Sequence, residues 1–353
     1  MNSTANTFRT CGKTMLMATL LLASAPAIAA TYWLQAETLN VTMPDGNIVP
    51  MWGFANCTDA TYTVCDPATV PGPALNVPAG DTTGLTVNLK NTLTKPVSLV
   101  INGQSLAVGS TPVWTDGTSG PRTNRTQRVR SFTHEAAPNG GEATYSWPVT
   151  KTGTYLYQSG THPQVQVQMG LYGALTHDAA AGQPYTGSAT YDSALTLLFS
   201  EIDPLLHVAV AGGTYGTVDG PTSTMDYNPK YYLINGKAFE SGDLPLAAYT
   251  EGDTVLLRLL NAGLRERAPM ISNGYMSVIA EDGNLYPWEA NPRQQYSVFL
   301  PPAKTLDALY VAKGVAGQDA RIAIFDRRLG LTTNVALDGG MMGFLEITVP
   351  AVP

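Results

Sequence analysis

The sequence predicts an all-β chain built as two tandem Greek-key β-sandwich domains. Three observations predict it. The 353 residues are 44% hydrophobic and only 13% charged, with 34 Gly and 25 Pro. That balance suits a turn-rich chain with a sizeable core and is not that of a disordered one. Short alternating runs such as Leu85-Thr86-Val87-Asn88-Leu89 are bounded by Gly, Pro, Asn and Asp, which is the period-two pattern of half-buried strands. Finally, the pattern repeats. Gly80-Asp81-Thr82 and the strand ending at Asn91 return as Gly252-Asp253-Thr254 and a strand ending at Asn261. Met169-Gly170-Leu171-Tyr172 returns as Met341-Met342-Gly343-Phe344. Gly80 to Gly252 is 172 residues and Met169 to Met342 is 173. Two landmarks at nearly one offset mean two copies of one unit, not a short-period solenoid. Each copy holds six or more short strands, the size of a sandwich.

Residues 1–30 read as a secretory signal peptide. Arg9 and Lys13 make a positive n-region, Met15 to Ala27 is apolar, and Ala27-Ile28-Ala29 is a small-x-small cleavage site. The run is too short to span a membrane, and no other stretch is apolar enough to do so. The expected location is therefore periplasmic or extracellular. The first domain is expected over residues 31–180. Leu39, Val41 and Met43 alternate before the Pro44-Asp45-Gly46 turn. Strands follow at Leu85–Asn91, Val97–Ile101, Val129–Phe132 and Ala143–Val149, with a Gly/Thr/Pro-rich loop over 109–127. Hydrophobic periodicity is lost from residue 176, and 181–192 reads as a linker. The second domain is expected over 193–353, with a buried strand at Ala194–Phe199, an irregular Gly-rich excursion over 203–229, and strands at Tyr231–Asn235 and Val255–Asn261.

Loss of the leader removes Arg9 and Lys13 and takes the formal charge from −7 to −9. An acidic exported chain is a poor match to nucleic acid or anionic membranes. Cys11 leaves with the leader. Cys57 and Cys65 bracket TDATYTV, a spacing that in an oxidising compartment reads as a structural disulfide. A two-thiolate metal site is the rival reading, weakened by the absence of a nearby His.

The central stretch is Gly153 to Leu175, GTYLYQSGTHPQVQVQMGLYGAL. It reads as a strand, a Ser-Gly-Thr-His-Pro turn, and resumed alternation through Val165 and Val167. His162 and Met169 beside that turn fit either a metal site or a packed corner. No Gly-x-Ser-x-Gly elbow, P-loop or dinucleotide fingerprint occurs, and the carboxylates form no catalytic pair that the sequence can identify.

These stretches resemble the multicopper oxidase family. VPGPALNVPAGDT resembles its first-domain entry, and GTYLYQSGTHPQVQVQMGLYGAL its first-domain closing segment. YYLINGK, EGDTVLLRLLNAG, and FDRRLGLTTN with GGMMGFLEI resemble the second cupredoxin domain. The resemblance covers nearly all of the chain after residue 30 and implies two cupredoxin-like domains, export and copper. It also shows departures. The family's first His pair is expected near Ile101-Asn102-Gly103-Gln104 and its second at Tyr157-Gln158-Ser159-Gly160, and neither stretch holds a His. The family's copper cluster takes about eight imidazoles, and its electron-entry copper takes a Cys with two His. This chain has four His, at 134, 162, 177 and 207.

His162 is the leading metal-ligand candidate, with Met169 as a soft partner for Cu(I) and His134 as a second imidazole if its loop folds over. For each the alternative is an ordinary structural role: a turn residue for His134 and gap-filling packing for Met169, Met341 and Met342. His177 in the linker and His207 after Asp203-Pro204 are expected to be surface or loop residues. The functional expectation is an exported multicopper-oxidase-like protein that binds copper and takes part in copper-dependent oxidation. A partner protein or self-association would complete it, since it is not competent as a standard oxidase alone. The alternative is a non-enzymatic cupredoxin-fold scaffold or partner-binding module.

Overall fold

The computed structural model of the protein describes residues 29–120, 127–287, 293–333 and 338–351. The first half contains β1 (Ala30–Thr42), β2 (Ile48–Cys57), β3 (Leu75–Val77), β4 (Leu85–Asn91), β5 (Val100–Ile101), β6 (Val113–Trp114), β7 (Val129–Ser131), β8 (Gly141–Trp147), β9 (Gly153–Gln158), α1 (Pro163–Met169) and β10 (Tyr172–His177). The second contains β11 (Ser193–Ile202), α2 (Pro204–Ala211), β12 (Tyr231–Ile234), β13 (Ala247–Thr250), β14 (Thr254–Asn261), β15 (Pro269–Ile271), β16 (Met276–Glu281), β17 (Asn284–Leu285), β18 (Arg293–Gln295), β19 (Thr305–Val311), β20 (Ala320–Asp326) and β21 (Met342–Thr348). Almost all of the expected signal peptide lies outside the described residues, and Ala30 is already the first residue of β1.

Two sheets face each other in each half. The first half has β2-β1-β4-β8 and β3-β10-β9-β5. The second has β12-β11-β14-β19-β16-β17, with β18 on β16, and β13-β21-β20-β15. The pairing scheme repeats over eight strands of each half, while β19 alone is continued by β16 and β6 pairs with β7 apart from both sheets. β1 runs parallel to β4 as β11 does to β14, and β3 runs parallel to β10 as β13 does to β21. Asn91 and Asn261 do the same work at the ends of β4 and β14. Asn91 Nδ2 donates to the carbonyls of Lys95 (2.8 Å) and Ala136 (3.1 Å), and its Oδ1 accepts from Leu93 N (3.0 Å). Asn261 Nδ2 donates to Arg265 (2.8 Å) and Leu300 (2.9 Å), and its Oδ1 accepts from Gly263 N (2.9 Å). Each Asn thus holds the loop that follows its strand. The register puts the two copies 170 residues apart, from Asn91 to Asn261. The sequence echo of Met169 in Met342 is displaced from it, because Met169 ends α1 whereas Met342 opens β21.

Two expectations need correction. PQVQVQM is a helix, α1, and not a resumed strand. Pro163 at its start has a preset φ and no N–H to lose, and residues Val165 through Met169 are all buried. Alternation reports a strand only when one face stays wet; here Gln166 and Gln168 are buried with partners of their own. Residues 203–229 also open with a helix, α2, whose first turn is capped by the Asp203 side chain accepting from Leu205 N at 3.0 Å.

Each half has its own apolar core. Two smaller clusters weld the halves. Met43 and Met51 pack with Ile202 and Leu233, and Leu156, Tyr172 and Ala174 pack with Leu198, Leu260 and Ala262. A buried polar lock lies beside the second cluster. Asp307 accepts from Thr154 Oγ1 (2.6 Å) and from the hydroxyl of Tyr185 (2.5 Å), in the stretch between the two sandwiches. Arg258 donates to Thr154 Oγ1 (3.0 Å) and to Asp178 (2.6 Å). Burial raises the Asp307 carboxyl above its ordinary pKa, and the Arg258 charge opposes that rise. Asp307→Asn keeps the shape but removes one acceptor and the charge facing Arg258. The expected loss is about 1–3 kcal/mol, read as a lower urea midpoint at unchanged m value. An unmoved midpoint would mean that the lock adds nothing to stability.

Candidate metal centre

The fold brings together the two stretches in which the family's ligand pairs are expected. β5 pairs with β9, Val100 opposite Gln158 and Ile101 opposite Tyr157. The side chains on the outer side of this seam are Val100, Asn102 and Gln158, with Gly160 beyond the end of β9. Gly160 has no room for a ligand. A Cβ there would sit 2.9 Å from Val100 Cγ1 and 3.0 Å from Ser98 Oγ, tighter than van der Waals contact allows.

Behind the seam lies a closed network of hydroxyls. Ser98 and Ser131 share a hydrogen bond of 2.8 Å, and Thr161 Oγ1 lies 3.0 Å from both. Thr161 Oγ1 is also 3.0 Å from Glu135 Oε1, and Glu135 takes a two-pronged ion pair from Arg130, at 3.2 and 2.6 Å. Ser159 donates to Gln166 Oε1 (2.6 Å), and Gln166 Nε2 donates to the Pro96 carbonyl (2.8 Å). Ser98, Ser131, Ser159 and Thr161 are completely buried. Sequence reading missed this network, because Ser and Thr between strands look like ordinary loop residues until the fold converges them.

The four histidines are dispersed. His162 starts α1 in the left-handed region (φ 40°), is exposed, and makes no capping hydrogen bond with its ring. Partial burial and the Arg130 charge hold its pKa below the ordinary value. Met169 ends the same helix, seven residues on, with no solvent exposure. At 1.5 Å rise per residue that is about 10 Å along the axis, so the structure does not bring the exposed imidazole and the buried thioether together. Met169 sits in the first core, as Met341 does in the second. The His134 ring stacks on Tyr145 at 4.5 Å, with Nε2 3.0 Å from the Thr144 carbonyl and Nδ1 3.3 Å from Thr133 Oγ1.

His177 and His207 are not the surface residues expected. His177 is the last residue of β10, 3% exposed, with Nδ1 2.9 Å from Thr150 Oγ1. His207 lies in α2 with no exposure, its Nδ1 3.0 Å from the Pro50 carbonyl. Their burial comes from contacts remote in sequence. Cys57 and Cys65 form a disulfide, Sγ to Sγ 1.98 Å. Among the described residues, no three or more His, Cys, Asp and Glu side chains are grouped to hold a metal ion.

One multicopper oxidase family model matches residues 55–180, and another, also of multicopper oxidases, matches residues 214–334. Together they span well over half of the chain. The chain belongs to the multicopper oxidase family. Solved structures agree on the fold. A blue copper oxidase from Nitrosomonas europaea is 21% identical with a TM-score of 0.65, over 91% of this chain and 86% of that one. A copper nitrite reductase from the same organism is 17% identical with a TM-score of 0.63, over 92% and 96%. A laccase from Botrytis aclada is 22% identical with a TM-score of 0.62, over 92% of this chain but 54% of that one. No curated protein sequence matches the chain.

Membership in the multicopper oxidase family implies copper as the cofactor. The residues of this family member do not fit the family's cluster. The seam that should supply imidazoles offers an isopropyl group, two amides and a glycine, and the space behind it is filled by hydroxyls already bonded to one another. Among the described residues the two cysteines, Cys57 and Cys65, are joined in the disulfide, which leaves neither as a thiolate for an electron-entry copper.

Proposed function

We propose that this is an exported member of the multicopper oxidase family that does not assemble the oxygen-reducing copper cluster from its own residues, and that it acts by binding rather than by oxidation. The observation that carries the reading is the β5–β9 seam, where the fold is kept and every expected ligand is replaced. Export is supported by the Arg9 and Lys13 n-region, the apolar run after it, and the Cys57–Cys65 disulfide, which belongs to oxidising compartments. Dioxygen uptake by copper-loaded protein, with a phenol or ferrous iron as electron donor, tests the catalytic half. Uptake is expected not to exceed that of the same copper with heat-denatured protein. Sustained turnover that survives chelator washing would contradict the reading. A second reading, copper held at one surface position, rests on the exposed His162 ring, and the copper measurement that closes the Discussion separates the two.

A further inference from the structure

α2 has the composition of a helix covered on every side. Its sequence, PLLHVAVA, holds one polar side chain, His207, and a helix that is apolar all round is normally a buried one. Only one side is covered here. Leu206, His207 and Ala209 are buried, where α2 packs on β2. Leu205 and Val208 stand one turn apart and so on one face, and they are 68% and 57% exposed. That outer face opens on a groove of about 300 Å³ whose other wall comes from residues 214–228. Asp203 ties the two walls together, accepting from Leu205 N (3.0 Å) and Asn228 N (2.9 Å). Tyr227 anchors the second wall, its hydroxyl donating to Gln168 Oε1 at 2.5 Å. The groove is therefore held open by bonds already in place. Three carboxylates line it, those of Asp203, Asp219 and Asp226, and no Lys or Arg does. Arg265 bonds the Tyr227 carbonyl (2.9 Å) but is not among the residues of the groove. Asp219 and Asp226 are exposed and, among the described residues, take part in no ion pair. Each follows an exposed apolar residue, Val218 and Met225.

We propose that this groove docks a short segment of a different polypeptide in which apolar anchors are flanked by Lys or Arg. The inference does not depend on the metal question. The apolar half of that chemistry follows from Leu205 and Val208, whose exposed side chains gain by being covered. The basic half follows from the three carboxylates, which a cation complements and an anion opposes. Apolar and acidic side chains adjoin on both walls, Leu205 beside the Asp203 carboxylate and Met225 beside Asp226, so anchors and cations must adjoin in the occupant too. At 1.5 Å rise per residue α2 is about 12 Å long, which suits a short segment laid along a groove. A lipid surface is a poorer match, because helices that lie on membranes set Lys and Arg beside the apolar face, and this one is flanked by Asp. A second copy paired through the same face would set these carboxylates against one another.

The test titrates the folded, disulfide-bonded protein into fluorescein-labelled peptides and reads anisotropy. The probe is three repeats of Leu-Lys-Lys-Leu. Its controls are three repeats of Ser-Lys-Lys-Ser, which keeps only the charge, and of Leu-Glu-Glu-Leu, which reverses it. The probe is expected to bind about tenfold or more tightly than either control. Val208→Lys, which puts a cation on the outer face, should weaken the probe by about tenfold. Asp219→Asn/Asp226→Asn should weaken it by about fivefold at low salt, with the difference shrinking as salt is added. All three positions are exposed, and circular dichroism confirms that each variant is folded; if Val208→Lys is not, Leu205→Lys takes its place. Three results would overturn the proposal: a probe that folded wild type does not bind, a Ser-Lys-Lys-Ser control that binds as well as the probe, and binding indifferent to the groove variants. Ultracentrifugation and sedimentation with phosphatidylcholine vesicles run in parallel. Self-association or vesicle binding by wild type that Val208→Lys abolishes would also overturn it, by making a second copy or a lipid surface the occupant.

Discussion

Arg267→Ala should cost about 3–5 kcal/mol, enough to leave little folded protein. Arg267 is 1% exposed and sits between two buried carboxylates. Its Nη1 donates to Asp326 Oδ2 at 3.2 Å, its Nη2 is ion-paired with Glu201, and its guanidinium lies 5.3 Å from the Tyr232 ring centre. The carboxylates are fixed by the backbone as well. Glu201 accepts from Leu264 N (2.8 Å) and Arg265 N (3.1 Å), and Asp326 from Ala268 N (2.8 Å) and Arg328 N (3.2 Å). Even a methyl on Gly263 would fall 2.0 Å from Glu201 Oε2. Truncating the arginine leaves two like charges in a dry site with no cation. Arg267→Lys should rescue only part, because a single ammonium cannot present a planar fork to two carboxylates. Arg267→Ala combined with Glu201→Gln should recover stability relative to Arg267→Ala alone, by removing one stranded charge. Urea unfolding measures all three. A change within about 1 kcal/mol for Arg267→Ala, the range of an exposed pair, would show that the triad is not the internal brace described.

The second large effect depends on pH. His207 is buried where α2 packs on β2, with Nδ1 facing the Pro50 carbonyl. A carbonyl only accepts, so Nδ1 carries the proton, and Nε2 has no hydrogen-bond partner. Burial lowers the pKa from 6.5 to about 4, outweighing the Pro50 carbonyl, the Asp203 charge and the Gln168 carbonyl, which all favour the charged ring. Between these values the unfolded chain binds a proton that the folded chain does not. The contribution of His207 to stability is therefore fully present above pH 6.5 and is lost as pH falls through about 4. At about 1.4 kcal/mol per pH unit the loss is about 3 kcal/mol. Urea midpoints of wild type and His207→Gln, compared above pH 7 and near pH 4, should differ in pH dependence by about that amount. Parallel curves would mean that His207 does not titrate with folding.

What was legible in the sequence follows from what each signal reports. Strands such as Leu85–Asn91 were plain because one face is wet and the other dry. The duplication was plain because Asn91 and Asn261 are held to the same work. α1 was misread because Gln166 and Gln168 are as buried as Val165 and Val167, so VQVQM alternates in polarity without alternating in exposure. His177 and His207 were misplaced because their partners, Thr150 and Pro50, lie 27 and 157 residues away in sequence. The missing ligand pairs were visible, but what replaced them was not. The seam is sealed by Ser98, Ser131, Thr161 and Gln166, residues whose convergence only the fold creates.

The central claim is that this seam does not hold copper, and copper bound per chain tests it most directly. Folded, disulfide-bonded protein is loaded with copper, washed with a chelator and measured by elemental analysis, with His162→Ala in parallel. The account predicts that both proteins finish with much less than one copper per chain. Near-stoichiometric copper lost in His162→Ala would establish a single surface position at α1. Several coppers retained per chain in both proteins would contradict the account, and would place a copper centre among residues that here bond only to one another.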